Sequence, residues 1–130
     1  MRTLRLLCVA VLLALPSVAQ QAGGPNVFHE RKEIDTGIIS TSGTSIIFPD
    51  TIGTYHNQFE VIFTGAPATA TINVYGRMRG GTLSASLGTS SATTSAIIPV
   101  SGPYDGYQVT ASWTGGTSPH ATINRTGIGN

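Results

Sequence analysis

The sequence predicts an all-β protein, an antiparallel β-sandwich of jelly-roll-like plan with seven or eight strands. Three observations carry that expectation. Several runs alternate apolar and polar residues with a period of two, the mark of a strand with one face on a core and the other in water. Each run ends in a short segment containing glycine, often with proline, aspartate or serine, the residues that serve turns. From Ile34 onward the helix signal is lost. Ser and Thr make up 28 of residues 20–130, a content that favours strands and turns over helix interiors.

The first nineteen residues stand apart from this pattern. Two arginines fall within Met1–Arg5, an apolar run follows from Leu6 to Leu15, and Pro16-Ser17-Val18-Ala19 ends on small residues. This is the anatomy of a secretory signal peptide over residues 1–19, cleaved before Gln20. The apolar run is shorter than the roughly 18 residues a membrane span needs, so no span is expected after cleavage and the location is secreted or periplasmic. Cys8, the single cysteine, lies inside that segment, which leaves the rest of the chain without disulfide or thiolate metal site. Residues 20–32 read as a flexible N-terminal lead-in and 33–130 as one β-sandwich domain. Phe28–Glu33 is the most densely charged stretch, open to a first helical turn or an extended arm, and is read in preference as a solvated approach to the domain. Residues 20–130 hold five basic and six acidic side chains. No basic patch of the kind a phosphate backbone requires is visible, so nucleic acid is not an expected partner.

The strands follow at short intervals: Glu33–Ser40, Thr44–Phe48, Gln58–Thr64, Thr69–Met78, Thr82–Leu87, Ser95–Val100, Tyr107–Thr114 and His120–Arg125. Their alternation assigns core faces. Phe59, Val61 and Phe63 share one face, as do Ala70, Ile72, Val74, Gly76 and Met78, and then Leu83, Ala85 and Leu87. Near the end of the chain, Tyr107, Val109, Ala111 and Trp113 alternate with Gln108, Thr110, Ser112 and Thr114. Gly115–Pro119 makes a turn, and His120–Asn124 is expected to return beside the preceding strand as a hairpin.

Chemistry is sparse. His29, His56 and His120 are far apart and none sits in an H-x-x-x-H or H-E-x-x-H frame, so neither metal nor other cofactor is expected. No serine lies in a G-x-S-x-G elbow. Asp50 and Asp105 stand in turn contexts, where aspartate commonly bonds its own backbone. The chain is therefore read as a non-enzyme, with a small hydrolase left in reserve should His56 or His120 meet a carboxylate and a serine. One surface stands out. Asn73, Tyr75 and Arg77 share the outward face of their strand, an aromatic ring between an amide and a guanidinium, which suits a sugar or peptide platform.

Three stretches carry a resemblance: Thr69–Arg77 (TATINVYGR), Leu87-Gly88-Thr89, and Gly106–Gly116 (GYQVTASWTGG). Together they resemble a β-sandwich module common in tailed-phage structural proteins and secreted bacterial proteins. In that module a V-x-V-x-G strand precedes an L-G-T step, and a Y-x-x-V strand runs into a glycine-rich turn. The resemblance spans about residues 57–127. Arg77-Met78-Arg79-Gly80-Gly81 departs from the module's usual S-x-D-G turn, and Gln108 and Thr110 stand where it often has arginine. A signal peptide is not expected of a virion protein assembled in the cytoplasm. The resemblance implies a structural or adhesive, non-catalytic role, with protein or surface glycan as partner and self-association allowed. The alternative is a carbohydrate-binding module using Asn73, Tyr75 and Arg77.

Overall fold

A computed structural model describes residues 31–129, so the expected signal peptide and most of the lead-in lie outside the described residues. Eight strands form two antiparallel four-stranded sheets: β1 (Arg31–Ile39), β2 (Thr44–Pro49), β3 (Thr54–Thr64), β4 (Thr69–Arg77), β5 (Leu83–Ser90), β6 (Ser95–Ser101), β7 (Gly106–Thr114) and β8 (His120–Gly129). One sheet has the order β1-β8-β3-β6 and the other β2-β7-β4-β5. First pairs with last, second with seventh, third with sixth and fourth with fifth. The chain is thus one long antiparallel ribbon, with its tip between β4 and β5, wound into a jelly roll.

The winding explains a departure from the sequence reading. β7 and β8 do not form a hairpin: β7 pairs with β2 and β4, while β8 pairs with β1 and β3 in the opposite sheet. The two strands face each other across the core, which is why both are apolar at alternate positions. Gly115–Pro119 is an arch between sheets. It rests on the β3–β4 arch, where the Thr117 amide donates to the Gly65 carbonyl at 2.8 Å and the Ala68 amide to the Thr114 carbonyl at 2.8 Å. Gly65, at φ +74°, has no room for a side chain, because a Cβ would overlap the Thr117 carbonyl oxygen.

Between the sheets lie Ile39, Phe48, Phe59, Val61, Phe63, Ala70, Ile72, Val74, Ile98, Val100, Tyr107, Val109, Ala111, Ala121 and Ile123. Each large one contributes about 1.5–3 kcal/mol by leaving water. Trp113 closes one end of this core, edge-on to Phe63 with ring centroids 5.8 Å apart. Two other expectations fail at the ribbon tip. Met78, Leu83 and Ala85 were expected in the core, yet all three are exposed. The β4–β5 register shifts twice, between Val74 and Tyr75 and again between Tyr75 and Arg77. Each irregularity breaks the period of two, so no single phase describes β5 and only Leu87 reaches the core. β1 begins at Arg31 in extended form, inside the stretch read as lead-in.

Candidate functional site

On the outer face of the β2-β7-β4-β5 sheet, β4 presents Asn73, Tyr75 and Arg77, all half-buried, as the alternation requires. Cross-strand neighbours build the surface around them. Asn73 lies beside Thr110, and Tyr75 beside Gln108, which in turn adjoins Ile47 of β2. One step further, Arg77 is opposite Gly106, and Gly106 opposite Pro49. A Cβ on Gly106 would come within 2.8 Å of the Phe48 carbonyl oxygen, so only glycine fits. Beside it is an open cleft of about 460 Å³ lined by Arg77, Met78, Arg79, Ile47, Pro49 and Asp105. Neither Arg77 nor Arg79 forms a salt bridge among the described residues. The face therefore offers amide, hydroxyl and aromatic groups that run into a cleft with two uncommitted guanidinium groups.

A second cluster escaped the sequence reading. Arg125, on β8, is wholly buried, with 0 % side-chain exposure. Every arm of its fork is used. Nε donates to Asn57 Oδ1 at 2.9 Å, Nη1 to the Pro49 carbonyl at 2.8 Å and to Asp35 Oδ2 at 3.1 Å, and Nη2 to the Thr54 hydroxyl at 2.9 Å. Glu33 Oε2 stands 3.1 Å from Nη2 and Asp50 Oδ1 3.6 Å from it. The guanidinium carbon lies 5.1 Å from the centre of the Tyr107 ring, a cation–π distance. Asn57 Nδ2 donates to the Tyr107 hydroxyl at 2.7 Å, and that hydroxyl to the Gly102 carbonyl at 3.2 Å. One cation thus joins β1, the β2–β3 turn, β3, β7 and β8.

Asp50 is the turn aspartate the sequence suggested. Its Oδ1 accepts the amides of Ile52 and Gly53, and its Oδ2 the amide and hydroxyl of Thr54, both at 2.7 Å. Burial works to raise the Asp50 pKa, but the Thr54 and Ile52 hydrogen bonds and the Arg125 charge outweigh it and hold the carboxyl below its ordinary value. Burial pushes the Tyr107 phenol up. Parity could have found the cluster: Arg125 follows Ala121 and Ile123 at steps of two, and Asn57 precedes Phe59 and Val61 likewise.

The histidines stay apart. His56, near the start of β3, pairs with Ile128 and Ser101, whereas His120 lies opposite Thr64 at the other end of β3. His56 Nδ1 is 3.1 Å from Ser101 Oγ, and the His120 ring bonds the Thr64 hydroxyl at 2.8 Å. Among the described residues neither imidazole is hydrogen-bonded to a carboxylate, and no group of three His, Cys, Asp or Glu could hold a metal ion. His29 lies outside the described residues.

No family model matches the chain, and no curated protein does. Solved structures do. The SPBc2 prophage-derived protein YomS aligns with a TM-score of 0.56 at 15 % identity, covering 82 % of this chain and 100 % of its own. A structure described as Bacillus endospore appendages, a family of disulfide-linked pili, aligns with a TM-score of 0.43 at 17 % identity, covering 79 % of this chain and 94 % of its own. The likeness to phage modules read from the sequence is met, at the level of fold, by the prophage-derived protein, and fold by itself carries no function across.

Proposed function

We propose that the chain is a secreted, non-enzymatic structural or adhesive module that works by presenting its sheet surfaces to a protein partner. The carrying observation is the exposure of Ile34, Ile38, Ile62 and Ile97, all on the outer face of the β1-β8-β3-β6 sheet. Ile38 is in line with Ile62 across Thr122, and Ile34 and Ile38 share the edge strand. A domain with a filled core gains nothing in stability from branched apolar side chains in water, and such groups gathered on one face mark contact surfaces. The partner to which the edge is best matched is a second copy of the chain. Sedimentation of the purified protein over a range of concentrations tests this: the expected result is reversible association, and a monomer at every concentration overturns it.

A second reading is favoured by the cleft beside Arg77. Asn73, Tyr75 and Arg77 span about 13 Å of strand at 3.3 Å per residue, long enough to follow an extended saccharide. Two uncommitted guanidinium groups suit an anionic one. Here Tyr75 is the stacking surface, Asn73 a hydroxyl partner and Arg77 the anchor for a carboxylate or sulfate.

A further inference from the structure

The four edges of the sandwich are not equivalent. β2 is six residues long and ends in Pro49, β6 contains Pro99, and β5 is broken by two register shifts. Short length, proline, bulges and charged side chains are the usual means by which a sheet edge is kept from pairing with another chain. β1 lacks the first three, its inward acids Glu33 and Asp35 are neutralised by Arg125, and its two basic residues, Arg31 and Lys32, are confined to its first two positions. It runs nine residues from Arg31 to Ile39 without proline, in unbroken register with β8, and no other described strand pairs with it. Its outward side chains include Ile34 and Ile38, 65 % and 57 % exposed. Its inward acids Glu33 and Asp35 are held by Arg125, so the strand is fastened to the sandwich as a rigid template.

We infer that β1 pairs with β1 of a second copy, antiparallel about a two-fold axis through Thr36, to make one continuous eight-stranded sheet. This rests on the reading of the chain as a structural module and names its partner and surface. The register follows from the side chains. With Thr36 on the axis, Ile34 of each copy lies opposite Ile38 of the other, which gives two symmetric apolar pairs on one face. Lys32 then faces Ser40, Glu33 faces Ile39, and Asp35 faces Gly37, so no like charges are opposed. A shift of the axis by one residue, to Asp35 or Gly37, breaks the isoleucine pairing, because neither register sets 34 against 38. The contact is isologous and closes at two copies, and its backbone ladder is that of strand addition at an exposed edge.

The test uses the full chain with Cys8→Ser, carrying Thr36→Cys or, as a control for face-to-face stacking, Gln58→Cys on central strand β3. Directly opposed residues in an antiparallel pair have Cα atoms about 4.5–5.5 Å apart, within the span of a disulfide. The expected result is a dimer by sedimentation, a covalent dimer from Thr36→Cys in oxidised glutathione, none from Gln58→Cys, and dimerisation weakened roughly tenfold or more by Ile38→Lys. Association that persists through Ile38→Lys, with no Thr36→Cys cross-link, overturns the β1 interface and leaves the structural reading standing. A chain that stays monomeric overturns both.

Discussion

Replacing Arg125 with methionine keeps much of the side-chain length and removes the one charge that balances three carboxylates. Glu33, Asp35 and Asp50 would be left facing one another, with Asp50 only 1 % exposed at its side chain and Glu33 12 %. Asn57 Oδ1 and the Pro49 carbonyl would lose a donor in the same step. Removing one partner from a buried ion pair typically costs about 3–5 kcal/mol, because an uncompensated charge stays behind. Small domains have only about 5–15 kcal/mol in total. At roughly 4–8 °C per kcal/mol for a domain of this size, Tm should fall by more than about 10 °C. Urea unfolding followed by Trp113 fluorescence and far-ultraviolet dichroism in parallel measures the loss directly. Adding Asp50→Asn to Arg125→Met should recover part of the loss, since it neutralises the most deeply buried of the stranded acids. A single variant within about 1 kcal/mol of wild type, or a double variant whose losses simply add, would refute the view of Arg125 as a fully engaged clamp.

Three further outcomes follow from the same structure. The folded-state pKa of Asp50 lies below its ordinary 3.8, so its contribution to stability is present above that value and is lost as pH falls through the folded pKa. Wild type should therefore lose stability in acid below about pH 4, and Asp50→Asn should flatten that limb of a pH series of melts. Gly65→Ala should cost more than about 1 kcal/mol, since it combines a positive φ with overlap on the Thr117 carbonyl; an unchanged urea midpoint would contradict the packing of the two arches. For saccharide binding, Tyr75→Ala should abolish any signal with a galacturonic acid hexamer, whereas Arg77→Gln should remove the preference for it over the neutral galactose hexamer. Calorimetric titration separates the two, and binding unchanged by Tyr75→Ala removes this face from consideration.

What could be read from the sequence, and what could not, divides along physical lines. Local alternation was sufficient to locate all eight strands and to place Phe59, Val61, Phe63, Ile72, Val74 and Val109 in the core, because the period of two is set by the backbone of each strand alone. It also put Asn73, Tyr75 and Arg77 on an outer face, where they lie. Pairing between strands was not legible in the same way. Tyr107–Thr114 and His120–Asn124 look like the arms of a hairpin because glycines join them, but an arch between sheets needs the same turn residues. At β5, Leu83 and Ala85 carry a clean alternation that two register shifts undo, and nothing local announces such shifts. Arg125 was within reach. Its step-of-two spacing from Ile123 placed a cation in the core, and the sequence offered Glu33, Asp35 and Asp50 to receive it, all at long range along the chain.

If two copies meet along the long, proline-free edge of β1, amide hydrogen exchange resolved along Arg31–Ile39 at low and high protein concentration will register the contact. Exchange along β1 should slow as concentration rises, with the β5 and β6 edges unchanged, because only amides that gain a partner strand are newly protected. A β1 profile that is the same at both concentrations contradicts that contact.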